Sequence, residues 1–200
     1  MGQTLRCLTG GVDAVLDAFS AIPREGFLPP EERGFAGFDE PLPIGHGQTN
    51  SQPRTVADML HLLEVAPGDK VLDVGSGSGW TTALLAHLTG PEGSVIGVEL
   101  EPSLVRFGRR NLAATDQPWA RIEKAKPGVL GWPQEAAYDR ILVSAEAEAL
   151  PRELMDQLAA PGRMVVPVAG LMMLVERNAT GPARLSRHGW YRFVPLRRKL

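Results

Sequence analysis

The chain has 200 residues, of which 44% are hydrophobic and 22% are charged, a composition that suits one α/β domain with a sizeable core. The net charge of −2 provides no basic field for nucleic acid or a membrane surface, and no apolar run approaches the ~20 residues of a membrane span. The start lacks the apolar core of a secretory signal, and the single cysteine, Cys7, cannot form an internal disulfide, so we expect a cytoplasmic protein.

The first quarter of the chain predicts one helix followed by an irregular cover. Apolar side chains recur at helical spacing at Val12, Val15, Leu16 and Phe19. Residues 23–47 are rich in proline, glycine and aromatic residues, which is typical of irregular structure. We expect residues 1–50 to form a cover segment of the same domain as residues 51–200.

A second helix is predicted after the polar run "GQTNSQP", residues 47–53. Ser51 is expected to cap this helix, with Pro53 in its first turn, because a hydroxyl oxygen accepts from the free N–H groups at a helix start. Free N–H groups at such a helix start also favour an anion. The helical spacing continues to "APGD", residues 66–69, through Val56, Met59, Leu60 and Leu63.

The remainder of the chain alternates predicted strands and helices. Strands are expected at "KVLDV" (70–74), "SVIGVEL" (94–100), more weakly at 120–123, and at "RILVS" (140–144) and "RMVVPV" (163–168). Helices are expected through Trp80, Leu84 and Leu88, over "PSLVRFGRRNLAA" (102–114), and from Pro151. The stretch from "LMMLVERNA" (171–179) to "WYRFVPL" (190–196) predicts antiparallel edge strands. This order predicts an α/β fold with a doubly wound, Rossmann-like, largely parallel sheet.

The strongest functional signal is "VLDVGSGSG", residues 71–79, at the carboxyl end of a predicted parallel strand. Open sheets of this class bind ligands at these ends, whereas the alternative is a tight turn that needs glycine only for packing. A dinucleotide fingerprint requires G-x-G-x-x-G. Here Gly75, Gly77 and Gly79 form G-x-G-x-G, and the sixth position is the bulky Trp80.

Two acids accompany these glycines. Asp73 precedes the first glycine by two positions, and Glu99 ends the next predicted strand, where a carboxylate can accept hydrogen bonds from ribose hydroxyls. The pattern resembles motif I of the S-adenosylmethionine (SAM) methyltransferases. The resemblance implies a SAM site lined by Asp73, Gly75, Ser76, Gly77, Gly79 and Glu99.

Motifs along most of the chain resemble those of the protein-L-isoaspartate O-methyltransferase family. They run in order from "IPREGFLPP" through "PLPIGHGQTNSQP", the glycine motif, "YDRILVSA" and "LPRELMDQLAAPGRMVVPV" to "FVPL". The resemblance implies an active-site role for Ser51, with Thr49 beside cofactor and substrate. It also implies that the backbone around Val194 and Pro195 helps to hold a substrate peptide.

The family's reaction moves a methyl group from SAM to the free carboxylate of an isoaspartyl residue in a damaged protein or peptide, leaving S-adenosylhomocysteine (SAH). An aspartyl carboxyl group has a pKa near ~3.9, so the nucleophile is ionised at neutral pH and needs no general base. Ser51 would then be an orienting hydrogen-bond donor. The alternative is that its hydroxyl only caps the following helix.

Three positions depart from the family pattern. Asn50 replaces an apolar residue, and we expect its amide to contact the acceptor. Lys126-Pro127-Gly128 replaces a "GDG" element whose aspartate faces the adenine, so adenine is expected to rest on apolar contacts and on backbone groups near Gly128. Glu146, after the fourth strand, is a carboxylate that would repel the acceptor if it faced it.

These departures leave two alternative functions open, a SAM methyltransferase acting on another carboxylate and a non-catalytic relative.

The four histidines are scattered, and none pairs with cysteine or acid at metal-ligand spacing, so we expect no metal site. Isoaspartyl proteins or peptides are the expected partners, without nucleic acid or membrane. The sequence does not predict an oligomeric state.

Overall fold

The computed structural model describes residues 13–198. Val12 and Cys7 lie outside this range, so the expectations about them have no structural counterpart. No helix within the described range is long and apolar enough to cross a membrane.

The described chain contains five α-helices and nine strands. The helices are α1 (Ala14–Ala21), α2 (Pro53–Leu63), α3 (Trp80–Thr89), α4 (Pro102–Ala113) and α5 (Arg152–Met155). The strands are β1 (Leu42–Gly45), β2 (Gln48–Asn50), β3 (Lys70–Val74), β4 (Ser94–Glu99), β5 (Ala120–Lys124), β6 (Tyr138–Val143), β7 (Leu158–Val168), β8 (Leu171–Arg177) and β9 (Arg184–Trp190). Short 3-10 turns cover Arg24–Phe27, Pro30–Phe35 and Pro133–Glu135.

Seven strands form the main sheet in the order β5-β4-β3-β6-β7-β8-β9. The five strands from β5 to β7 pair in parallel, and β8 and β9 add antiparallel partners at one edge. The chain proceeds from β3 to β4 and β5 on one side, and later to β6 and β7 on the other. The order therefore reverses at β3, and the expected Rossmann-like fold with antiparallel edge strands is confirmed.

The two faces of the sheet are covered unequally. One core cluster joins β-strand residues such as Val71, Val95 and Leu142 to apolar side chains of α1, α2, α3 and α4. The other cluster, which includes Leu72 and Ile141, is covered by α5, by residues near 130–138 and by the C-terminal segment. Strand alternation sends neighbouring residues to opposite faces. Long helices therefore support one face, and mostly irregular chain covers the other.

Strands β1 and β2 form a separate two-stranded hairpin within the segment expected to be irregular. Leu42 and Ile44 of this hairpin pack in a small buried cluster with Leu28 and with Leu104 of α4. The hairpin makes no strand pairing with the main sheet, so packing and side-chain contacts must hold it. The expectation that residues 1–50 form a cover segment of the same domain as residues 51–200 stays a prediction.

One expected helix starts where predicted but is short, and one expected edge strand was wrong at its end. The expected helix from Pro151 is only the four residues of α5, because the chain then enters the eleven-residue strand β7. The last edge strand, β9, ends at Trp190, and "FVPL" continues as a non-strand segment with one parallel bridge between Glu146 and Pro195. Proline has no N–H group, which prevents regular ladder pairing there.

The predicted cap of α2 was also wrong. The helix begins at Pro53, its N-cap residue is Gln52, and no side chain caps it from that position. Asp39 instead accepts a hydrogen bond from the backbone N–H of Arg54 (2.9 Å) and one from the Gln52 amide (3.0 Å). A carboxylate of the protein therefore already occupies a helix start that was expected to be open to an anion.

Candidate active site

A main cleft lies outside the carboxyl ends of β3, β4 and β6, the position that the strand order favours for a ligand. It is an open cleft, and its empty space of about 710 Å³ includes solvent at its mouth. Five parts of the chain line it: the hairpin, the ends of β3 and β4 with the residues after them, residues 125–131, residues 144–145 after β6, and the C-terminal segment 194–198.

The glycine loop, residues 75–79, uses its backbone N–H groups within the protein. The N–H groups of Gly75 and Ser76 both donate to the Val98 carbonyl, at 2.8 and 3.2 Å. The N–H of Gly77 donates to Glu99 at 2.9 Å, and that of Gly79 donates to the Ser76 carbonyl at 2.8 Å. A phosphate cradle needs such groups free. The loop therefore suits a ligand without phosphate at this point.

Gly77 and Gly79 have different physical roles. Gly77 has a φ of 52°, and a Cβ there would lie 3.1 Å from the Ile44 side chain of the hairpin. At Gly79 (φ 89°) a Cβ would lie 3.0 Å from Ile122 and 3.1 Å from the Gly108 carbonyl oxygen. Gly79 thus allows close packing on α4 and does not line the main cleft. The geometry gives Gly79 a packing role, and its expected contact with a cofactor stays a prediction.

Asp73 lies beneath the glycine loop and not on the cleft wall. Its side chain is fully buried, and its Oδ2 accepts hydrogen bonds from the hydroxyls of Thr81 and Thr82, both at 2.7 Å. Burial raises the pKa of Asp73 to about 6, a shift that these hydroxyls and Ser144 partly oppose. Asp73 therefore ties β3 to the first turn of α3. The expected direct contact with a cofactor is corrected to a supporting position.

Glu99 reaches the main cleft at the end of β4. Its Oε1 accepts from the backbone N–H groups of Leu100 (2.7 Å) and Glu101 (2.8 Å), and its Oε2 accepts from Gly77 (2.9 Å). A carboxylate offers about four lone-pair sites. Three are in use, so about one, on Oε2, remains for a ligand hydroxyl.

Residues 126–129 form a turn on the far wall of the cleft. The Val129 N–H donates to the Lys126 carbonyl (3.0 Å), and Gly128 has a φ of 77°. Proline and glycine at the two central positions are the residues that a type II turn favours. The Gly128 N–H donates to the Arg198 carbonyl (3.2 Å), so this N–H is not free for adenine, and the expectation that backbone groups near Gly128 serve adenine stays a prediction.

Apolar groups form the cleft wall on either side of that turn. They come from Ala125, Val129 and Leu130. The ammonium group of Lys126, which also lines the cleft, lies 5.6 Å from the ring centroid of Trp132. This wall presents no carboxylate from residues 125–131, as the "KPG" run predicts.

Two smaller pockets meet the main cleft at Thr49 and Ser144, which line all three spaces. The inner pocket, bounded by the glycine loop and Thr49–Ser51, also contains Ser76, whose buried hydroxyl has no partner among the described residues. The outer pocket has an empty volume of about 660 Å³ and opens beside Ser51 and the exposed Arg192. Ser51 therefore lies between the inner and outer pockets.

The side chain of Asn50 is largely engaged inside the protein. Its side chain is 5% exposed, its Oδ1 accepts from Nε of Arg24 (2.7 Å), and its Nδ2 donates to the hydroxyl of Ser78 (3.0 Å). Both ends of the amide are thus used inside the protein. Asn50 therefore links two parts of the chain; one N–H of its Nδ2 is not used in these bonds, and its expected contact with the acceptor stays a prediction.

The C-terminal segment closes one side of the site. The Val194 carbonyl accepts from the Glu146 N–H (2.8 Å), and the Leu196 N–H donates to the Glu146 carbonyl (2.7 Å). Val194 lines both the main cleft and the outer pocket, whereas Pro195 lines only the main cleft. Glu146 lines neither space, so the repulsion considered for its carboxylate does not arise in this geometry.

Sequence reasoning missed Arg24 and Ser144. Arg24 lies in "IPREGF", which was interpreted as cover and as a family motif without a role for this residue, and nothing in its local pattern marks it as buried. Ser144 is the last residue of a predicted strand and lies at the same edge of the sheet as Gly75, and that placement was a usable signal. Within residues 13–198, no group of three or more His, Cys, Asp or Glu side chains is arranged to hold a metal ion.

Comparison with known proteins places the chain in a family. The model of protein-L-isoaspartate(D-aspartate) O-methyltransferase matches residues 8–200. The protein-L-isoaspartate O-methyltransferase of Aeropyrum pernix is 46% identical over 186 residues, which are 91% of this chain and 72% of that protein. The protein of the same name from Methanopyrus kandleri is also 46% identical, over 91% of this chain and 82% of that protein.

A solved structure supports the same relationship. It is a putative protein-L-isoaspartate O-methyltransferase from Plasmodium falciparum in complex with SAH, with a TM-score of 0.82 and 26% identity. The match covers 94% of this chain and 91% of that one. This chain belongs to the protein-L-isoaspartate(D-aspartate) O-methyltransferase family.

Proposed function

We propose that this site transfers the methyl group of SAM to the free carboxylate of isoaspartyl residues in proteins or peptides, a repair reaction. One observation carries the assignment of the site. The glycine loop with Glu99 and the hydroxyl residues Thr49, Ser51 and Ser144 converge where the main cleft joins the two smaller pockets. A cytoplasmic location is part of the proposal and rests on the sequence alone.

The lining of the main cleft suits SAM in its chemistry. Its glycine loop has no free cradle for phosphate, and SAM carries none. Glu99 has about one lone pair left on Oε2, which we assign to a ribose hydroxyl. Bonds to both ribose hydroxyls would require Oε1 to release Leu100 or Glu101. Gly75, Gly77 and Ser76 complete this side of the proposed site.

The adenine is assigned to the apolar wall formed by Ala125, Val129 and Leu130. These side chains favour a flat apolar ring through burial but provide no acceptor for its amino group. The assignment removes Gly128 from the proposed contacts, because its N–H is already bound. Recognition of adenine here therefore depends on shape and burial more than on a side-chain hydrogen bond.

The acceptor carboxylate is assigned to the junction beside Thr49 and Ser51. SAM supplies a methyl group that is electrophilic because it is bound to a sulfonium. The acceptor is ionised at neutral pH, so the protein's task is to orient it and exclude water. The Ser51 hydroxyl makes no hydrogen bond within residues 13–198 and is free to donate to it. Arg192 adds a positive charge at the mouth of the outer pocket.

The peptide backbone of a substrate is assigned to the free side of the segment before Pro195. The Val194 carbonyl and the Leu196 N–H are both hydrogen-bonded to the backbone of Glu146. Successive residues of an extended segment direct their backbone groups to opposite sides. We therefore expect Phe193 and the Pro195 carbonyl to face a bound peptide, with the Val194 side chain on the pocket wall.

The function is tested by methylation of a peptide that contains one isoaspartyl residue and of its normal aspartyl twin. We expect label from methyl-labelled SAM to enter the isoaspartyl peptide at least tenfold faster. Equal rates would favour a methyltransferase for another carboxylate. Failure to bind SAH in calorimetry would favour the non-catalytic alternative.

A further inference from the structure

Arg24 is a buried cation beside the polar loop, residues 48–52. It is 6% exposed and donates to five oxygen atoms. Its Nε bonds the Asn50 side chain at 2.7 Å, and its Nη2 reaches the carbonyls of Asn50 and Ser51, both at 3.0 Å. The other two partners are the carbonyls of Phe38 (3.0 Å) and Glu40 (2.8 Å).

The electrostatic setting of Arg24 is unusual because its close partners carry no formal charge. Burial lowers the pKa of the guanidinium to about 10, and the charge of nearby Asp39 opposes that shift. The group therefore stays protonated at neutral pH. Desolvating a cation is costly unless its donors are satisfied, so the five contacts are required for it to remain buried.

The contacts of Arg24 continue to the glycine loop. Asn50, bonded to Arg24, donates to the Ser78 hydroxyl, and Asn111 of α4 donates to the Ser78 carbonyl at 2.9 Å. The guanidinium also lies 5.6 Å from the ring centroid of Trp80, the first residue of α3. One buried network thus joins the polar loop to the glycine loop.

The polar loop needs such a connection. Strand β2 pairs only with β1, and this two-stranded hairpin has no strand partner in the main sheet. Isolated two-stranded hairpins are marginal in water. The position of Thr49 and Ser51 relative to the main cleft must therefore come from contacts outside the hairpin.

We propose that Arg24 is a positioning residue for methyl transfer, which acts by fixing Ser51 and Thr49 relative to the glycine loop. The inference rests on the function proposed above. Lysine keeps the charge but lacks the planar fork that satisfies several acceptors together. Displacement of a catalytic group by about 1 Å can cost ~100-fold in rate. Arg24→Lys should therefore lower kcat roughly ten- to hundredfold.

The test compares Arg24→Lys with Arg163→Lys in the full chain. Arg163 is also largely buried, but it pairs with Glu64 and Glu176 away from the site. We would measure melting temperature, SAH affinity by calorimetry, and kcat and KM on the isoaspartyl peptide. We expect kcat to fall only in Arg24→Lys, with SAH affinity within about threefold, because Glu99 and Asn111 still hold the glycine loop.

A double variant separates positioning from general destabilisation. If Arg24 acts through Ser51, the loss caused by Arg24→Lys should shrink to less than about threefold in a Ser51→Ala background. Full additivity, or a normal kcat in Arg24→Lys, would overturn the inference. If Arg24→Lys does not fold, Asn50→Ala is the deciding variant. We expect its kcat to be at least threefold lower than that of wild type, and an unchanged kcat would overturn the inference. A wild-type protein inactive on the peptide overturns the proposed function and this inference together.

Discussion

The glycine loop and the polar loop both border the inner pocket, but different interactions hold them. The glycine loop is fixed largely by its own backbone N–H groups: those of Gly75 and Ser76 donate to the Val98 carbonyl of the neighbouring strand, and that of Gly77 donates to the side chain of Glu99. The polar loop is fixed by side chains, chiefly Arg24 and Asn50. Backbone bonds follow from strand register, whereas the side-chain network depends on individual residues. We therefore expect changes near the glycine loop to alter SAH affinity and stability, and changes in the polar loop to alter turnover.

The largest expected effect concerns Asp73 beneath the glycine loop. Its folded pKa of about 6 exceeds the reference value of 3.8, so ionisation opposes folding. The penalty is absent below pH 3.8, grows between pH 3.8 and 6, and is full above that range, at about 3 kcal/mol. In Asp73→Asn this pH dependence should disappear.

The measurement is the free energy of unfolding of wild type and Asp73→Asn from pH 4 to pH 7. The stability of the variant relative to wild type should rise with pH up to about 6 and then become constant. Asp156→Asn, at an exposed site, is the matched control. A relative stability that does not change with pH would mean that Asp73 is not held in a costly buried state.

Ser51→Ala tests the polar loop. A hydrogen bond to a charged group is worth about 1.5–3 kcal/mol, so kcat should fall roughly ten- to hundredfold. Ser51 does not cap α2, so the melting temperature should stay within about 2 °C of the wild-type value. Ser20→Ala, on the exposed face of α1, provides the control. Normal turnover would remove Ser51 from the proposed acceptor site.

Glu99→Gln tests the link between the glycine loop and the cleft. The amide oxygen can still accept, but its NH₂ group would face a backbone N–H donor that the carboxylate now satisfies. We expect SAH affinity to fall by about 2 kcal/mol, roughly thirtyfold, with a lower melting temperature. Glu123→Gln, on the edge strand β5, is the control. A change in kcat alone, with normal SAH binding, would contradict the expectation that changes near the glycine loop alter SAH affinity and changes in the polar loop alter turnover.

Gly77→Ala tests the contact between the glycine loop and the hairpin. The positive φ and the 3.1 Å approach to Ile44 should together cost about 1–2 kcal/mol. We expect a lower melting temperature and several-fold weaker SAH binding. Gly37→Ala, where a Cβ meets no atom within 4 Å and φ is not positive, should change neither. Equal effects at the two positions would show that the approach to Ile44 is unimportant.

The smallest expected effect is a gain. Pro127→Asp would place a carboxylate in the turn of residues 126–129, next to the assigned adenine wall, and one new hydrogen bond is worth ~1 kcal/mol. SAH should bind about fivefold more tightly. Pro30→Asp adds the same charge at an exposed site elsewhere. Unchanged affinity in folded Pro127→Asp would mean that the turn lies too far from the adenine.

The fold was largely predictable because its signals are local. The strand "KVLDV" and the helix that begins at Trp80 were predicted from apolar pattern and flanking glycine, and the structure contains both. The position of a ligand site at the end of β3 followed from the rule for open parallel sheets. Two features were less predictable: that "FVPL" is not a regular strand, and that the helix after Pro151 is short. Pairing with distant parts of the chain decided both.

The amino-acid sequence by itself determined the family, the α/β class and the glycine motif with its acid at Glu99, since each depends on residue type and spacing along the chain. Only the tertiary structure decided the roles of Asp73, Gly79, Asn50 and Arg24. Asp73 and Gly79 turned out to support the loop, and Asn50 proved to be a partner of Arg24. The physical reason is that hydrogen-bond satisfaction of buried groups depends on which distant segments meet, and no local pattern encodes that meeting.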